Sequence, residues 1–207
     1  GVEAAYHLGE AYYDKGDFVK SRQSYETAAR FGKPAMVFEA LYAVGWTWFR
    51  ESKWTQASDA FLKAADVTAV PEEKARSLYR AGLSRASAGE WEAALAYYDQ
   101  ALSVKTGKWR EEALYQKAWA LMNIGRLEDA DRVADTLAQE YPTSKLPPDL
   151  SFRMGEESMA AGKYREALAW YDRCAEKYPE TEIAVRAGLR AALAARESGT
   201  AAESAGR

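Results

Sequence analysis

The chain has 207 residues, 48% of them apolar and 29% charged, which is enough for one or two compact domains and too apolar for a disordered chain. A net charge of −3 leaves no basic stripe to release counterions and so argues against nucleic acid as a partner. No apolar run approaches the roughly 18 residues of a membrane helix, so membrane insertion by this segment is not expected.

Taken in order, the residues predict pairs of amphipathic helices. In residues 2–37, Leu8-Gly9 and Tyr12 mark a first helix, Lys15-Gly16-Asp17-Phe18 a turn, and Ser21, Tyr25 and Ala28 a second helix. Residues 38–74 repeat this with Gly45 and Trp48, the turn Glu51-Ser52-Lys53-Trp54, then Ala57, Phe61 and Ala64. In 75–110, Leu78, Ala81 and Gly82 precede Ala88-Gly89-Glu90-Trp91, and Ala94, Leu95, Tyr98, Ala101 and Leu102 follow at spacings of three and four. Residues 111–147 carry Ala118, Ile124-Gly125-Arg126-Leu127 and Ala130, with Ala134 where the other units have a ring, so looser packing is expected there. Residues 148–184 carry Gly155, Ala161-Gly162-Lys163-Tyr164, Ala167, Tyr171, Cys174 and Pro179. A sixth first helix is expected over 185–199, with Gly199 as its turn mark and 200–207 as a frayed or disordered tail.

The small residues Gly9, Gly45, Gly82, Ala118 and Gly155 are separated by 36, 37, 36 and 37 residues, a period that signals a solenoid of stacked units. All six prolines (Pro34, Pro71, Pro142, Pro147, Pro148 and Pro179) fall outside the helices of this frame, as a helix-interior cost of about 3 kcal/mol demands. The frame resembles the tetratricopeptide repeat (TPR) pattern, W-x-x-L-G-x-x-Y followed by A, F, A and P, over about residues 2–199. Departures are Arg85 and Ser158 in place of the first-helix Tyr, and two or three extra residues in each connection. The resemblance implies an all-α, right-handed superhelical array of five helix pairs plus a C-terminal helix, a single solenoid domain over 1–199.

Candidates for catalysis are few. There is one histidine, His7, expected at the surface or in packing, and one cysteine, Cys174, expected as a buried small residue that admits no internal disulfide. No metal-ligand cluster, nucleophile elbow or phosphate-cradling loop is present, so no enzyme, metal or cofactor is expected.

In the TPR family, first helices line a concave groove that receives peptides or proteins. That resemblance places Tyr6, Tyr42, Tyr79, Tyr115 and Phe152 in one inward row, either as packing or as partner contacts. One turn on, Glu10, Trp46, Leu83, Trp119 and Glu156 put apolar groups in the middle units and acids at both ends, and Phe49, Met122 and Met159 extend the apolar surface. Trp46 and Trp119 either anchor a partner or pack on neighbouring units. Arg76 with Arg80, and Arg186 with Arg190, stand at i,i+4 and are candidate carboxylate contacts, with pairing to neighbouring acids as the alternative. The family's chaperone-binding carboxylate clamp is absent as a set, since its other places fall on Tyr6, Glu10 and Ala43.

These readings predict a non-catalytic scaffold for a protein or peptide, with self-association or a structural module of a larger protein as the rival. The absence of an initiating Met and of a leader suggests a piece of something longer. The Tyr-Pro pairs at 141–142 and 178–179 resemble TPR proteins of the bacterial cell envelope, a lean that leaves localisation open.

Overall fold

The computed structural model describes residues 1–105 and 107–205, with side-chain surroundings through 199. Among these residues there are eleven α-helices and no strand. They pair in chain order as α1 (Val2–Asp14) with α2 (Phe18–Phe31), α3 (Pro34–Arg50) with α4 (Trp54–Val67), and α5 (Pro71–Ser87) with α6 (Trp91–Leu102). Then come α7 (Arg110–Asn123), α8 (Leu127–Glu140), α9 (Leu146–Ala160), α10 (Tyr164–Lys177) and a final α11 (Glu182–Ala205). Two compact units emerge, residues 1–116 and 117–207, and each is described by itself.

The turn within each pair has a common cause. Gly16, Gly89, Gly125 and Gly162 all adopt positive φ, and so does Ser52 at 57°, the one non-glycine to do so among the described residues. At Gly89 the amide donates to the Ala86 carbonyl and the next amide, of Glu90, donates to that of Arg85, each at 2.9 Å. These two bonds form the Schellman motif, which satisfies carbonyls left open by the helix end. The same two bonds recur at the other four turns.

A second cause fixes the small residue of each first helix. A Cβ added to Gly9 or Gly45 would stand 2.6 Å from the ring of Tyr25 or Phe61, and one added to Gly82 would stand 2.7 Å from that of Tyr98. Gly155 faces Tyr171 in the same way. Each ring therefore sits in a notch cut by a glycine, and the helix axes approach closely. Second-helix small residues complete the fit: Ser21, Ala57, Ala94, Ala130 and Ala167 are fully buried, and Ser21 Oγ donates to the Gly9 carbonyl at 2.8 Å. In the fourth repeat Ala118 stands in the glycine row and Ala134 in the ring row, and both are fully buried.

Polar contacts join successive repeats. Arg85, which departs from the repeat pattern, donates back to Ser58 Oγ at 3.0 Å and to Asp59 at 3.2 Å on α4, and to Glu90 at 2.8 Å. Arg22 on α2 stacks 3.5 Å over the Trp48 ring and pairs with Glu51. In the second unit Asp131 and Asp135 of α8 pair with Arg173 and Lys177 of α10.

Two sequence expectations need correction. Pro34 and Pro71 open α3 and α5, and Pro147 and Pro148 lie in the first turn of α9, so four of the six prolines are inside helices. The first turn tolerates them because its amides have no intrahelical acceptor, and proline's fixed φ suits the helix. Gly199 is not a turn. It lies within α11, whose alanine-rich sequence favours continued helix, and no second helix follows among the described residues. The backbone of the expected tail is helical to Ala205, while Gly206 and Arg207 lie outside the described residues.

Candidate functional site

In the first unit, α3 carries three of the residues expected in the groove, Tyr42, Trp46 and Phe49. Its length places Phe38, Tyr42, Trp46 and Phe49 along one side, at spacings of three and four. Trp46 packs edge-on against Tyr42, Phe49 and the buried Phe61, with ring centroids 6.4, 5.5 and 5.7 Å away. It remains half-exposed and, with Tyr13, Tyr25 and Ala43, lines an open apolar cleft of about 350 Å³. Tyr6 lies 5.3 Å from the ring of Tyr25, one of the cleft's lining residues.

Two arginines of α5 stack on rings of this set. Arg76 stacks 4.5 Å from the Tyr42 centroid and 5.3 Å from that of Phe38, and its guanidinium donates to Glu39 at 3.3 Å. Arg80 stacks 4.7 Å from Trp46 and 4.9 Å from Tyr79. Among the described residues no carboxylate pairs with Arg80, and its buried Nε has no hydrogen-bond partner. Tyr79 is buried, stacks on Trp109 and donates to Glu112 at 3.3 Å; burial pushes its phenol up to about 12. Leu83 and Tyr115 are half-buried. Glu10 is exposed and bonds His7 at 2.7 Å, which places that histidine at the surface.

In the second unit Trp119 is half-buried beneath Arg153, 5.1 Å from its centroid, and Arg153 also donates to Asp149 at 2.7 Å. Met122 and Phe152 are buried, so they present little surface to a partner. Met159 packs on the core built by Phe152, Tyr171 and Cys174. Glu156 accepts from Tyr171 Oη and pairs with Arg190 at 3.0 Å, and Arg186 lies 4.6 Å over Phe152. Cys174 is fully buried against the Pro148 carbonyl, and burial raises its thiol to about 11.

Tetratricopeptide repeat models match residues 2–31, 45–108 and 112–144. The chain belongs to the tetratricopeptide repeat family. No curated protein matches its sequence. Among solved structures, YrrB, described as a TPR protein with an unusual peptide-binding site, superposes with a TM-score of 0.62 at 18% identity, over 89% of this chain and 90% of that one. MamA superposes at 0.66 and 17%, over 86% and 92%. A TPR protein from Parabacteroides merdae does so at 0.67 and 19%, over 96% and 76%. At such identities the likeness establishes the fold, a TPR array of the kind that serves as a protein-interaction scaffold.

Within the TPR frame one feature escaped the sequence reading. Tyr42 with Arg76, Trp46 with Arg80, Trp119 with Arg153, and Phe152 with Arg186 all stand 34 residues apart and all stack. An aromatic of one first helix is thus faced by an arginine of the next. The signal was present as a fixed aromatic-to-Arg spacing, but only contact between repeats gives it meaning. Among the described residues no group of three or more His, Cys, Asp or Glu is placed to hold a metal ion, and no helix is long and apolar enough to cross a membrane.

Proposed function

We propose that this chain is a non-catalytic scaffold that binds a protein or peptide through the α3 face, with an apolar side chain of the partner entering the cleft beside Trp46. The observation that carries this reading is Trp46 itself. One edge of its environment is an open apolar cleft, and its ring also carries Arg80, a guanidinium with no carboxylate partner among the described residues. Seating one apolar side chain there contributes about 1.5–3 kcal/mol, and an acidic group of the partner is placed to reach Arg80. Tyr6, Glu10, Tyr42, Phe49 and Leu83 supply the surrounding surface, while Arg76 is already engaged by Glu39. The peptide-binding description of YrrB supports a peptide as one form of partner, though the likeness extends only to fold.

Selection from a random peptide library tests this, followed by titration of a selected peptide against variants. Selected peptides are expected to pair an aromatic or aliphatic residue with a nearby acid, and Trp46→Ala to weaken them about tenfold or more. Unchanged affinity in a Trp46→Ala plus Trp119→Ala variant would remove the groove assignment.

A further inference from the structure

Along the first helices one row runs Tyr12, Trp48, Arg85, Leu121 and Ser158, so a large side chain in four repeats gives way to a small one in the fifth. Arg85 shows how a cation fills this row. Its guanidinium donates to Ser58 Oγ at 3.0 Å and to Asp59 at 3.2 Å on the preceding helix, and to Glu90 at 2.8 Å just past the turn. Ser158 reaches only Glu166, to which its Oγ donates at 3.2 Å. Beside it, within the second unit, lies an open cavity of about 210 Å³. Met122 and Leu127 supply apolar lining, and Glu157, Glu166 and Lys163 supply charge.

What the fifth repeat lacks is a donor. Ser58, which accepts from the Arg85 Nε, stands 27 residues before it, and the residue 27 before Ser158 is Asp131, one helical turn on from Leu127. Asp131 is 5% exposed. One of its carboxylate oxygens pairs with Arg173, while the other, Oδ1, is buried with no hydrogen-bond partner among the described residues. A buried acceptor left unpaired is costly, and this one occupies the place that receives an arginine proton two repeats earlier. Of the residues lining the cavity only Lys163 is cationic, and it is exposed and paired with Glu166 at 3.3 Å. The balance of charge at the vacated position therefore favours a cation.

We infer that the cavity beside Ser158 takes the arginine side chain of a protein partner, its stem on Met122 and Leu127 and its guanidinium toward Glu157, Glu166 and Asp131, so that the partner supplies what Arg85 supplies in the third repeat. This site shares no residue with the Trp46 cleft and stands or falls without it.

The probe is N-acetyl-arginine methylamide, an arginine blocked as it would be within a chain, titrated into the whole ¹⁵N-labelled protein with amide shifts as the readout. Saturable shifts are expected at the Gly125, Ser158 and Lys163 amides, with about tenfold weaker binding of the citrulline counterpart, which keeps the shape without the charge. Ser158→Arg fills the cavity from within and is expected to abolish the shifts at Gly125 and Lys163. Glu157→Gln, at an exposed position that leaves the fold intact, is expected to weaken the ligand about threefold, and Lys163→Ala to tighten it. No shifts at these amides, equal binding of the citrulline compound, or unchanged binding by both Ser158→Arg and Glu157→Gln would overturn the assignment. So would free arginine binding about tenfold more tightly than the blocked form, since the ligand would then be the amino acid and not a partner's side chain.

Discussion

The third and fourth repeats solve one packing problem in opposite ways. In the third, Gly82 makes room for Tyr98, whose ring is wholly buried; in the fourth, Ala118 carries a methyl group and Ala134 replaces the ring. The two rows are thus coupled, and neither residue type is chosen alone. In the other repeats the gap between the two helices is shared by a first-helix glycine and a second-helix ring.

Breaking the ring side of this pairing has the largest expected effect. Phe61→Ala, or Tyr98→Ala, removes a fully buried ring and should cost about 3–5 kcal/mol in denaturant unfolding, whereas no equivalent loss is available at Ala134. Filling the notch comes next. Gly82→Ala should cost about 1–2 kcal/mol even though alanine favours helix by about 1 kcal/mol, because the added Cβ meets the Tyr98 ring. The Gly82→Ala plus Tyr98→Ala variant, which copies the fourth repeat, should lose less than the sum of the single changes; strict additivity would show that the rows are uncoupled.

Smaller effects sharpen the same contrast. Ser52 holds the left-handed conformation that the other turns assign to glycine, so Ser52→Gly should stabilise by about 0.5–1 kcal/mol, and a loss on thermal melting would contradict this turn assignment. Burial also raises the phenols of Tyr25, Tyr79, Tyr98 and Tyr171 above the ordinary 10.0. The folded state then keeps protons that the unfolded state releases, so stability is fully present below pH 10 and falls as pH rises toward these raised values. Tyr98→Phe removes one such phenol, and a buried Oη without a hydrogen-bond partner, and should move alkaline unfolding to higher pH. An unmoved alkaline midpoint would place the sensitivity elsewhere.

How much of this was legible follows from where each signal lives. The turns at Gly16, Ser52, Gly89, Gly125 and Gly162 and the notch residues are set by contacts inside one helix pair, so a period in the sequence reports them directly. Gly199 misled because glycine permits a turn without requiring one, and the alanines around it favour helix. The candidate site was legible as a row but not as a surface. Burial of Tyr79, Met122 and Phe152, and the stacking of Arg80 on Trp46, depend on how successive repeats meet, which the spacing of residues within a repeat does not encode.

The regular positions build the scaffold, and the departure at Trp46, with Arg80 above it, is where a partner is expected. Titration of one selected peptide against the wild-type chain, Trp46→Ala and Arg80→Ala tests this most directly. Trp46→Ala is expected to weaken binding about tenfold or more, and Arg80→Ala to weaken acidic peptides while sparing the same peptides with Glu or Asp replaced by Gln or Asn. Equal affinity of all three proteins for the peptide would contradict it.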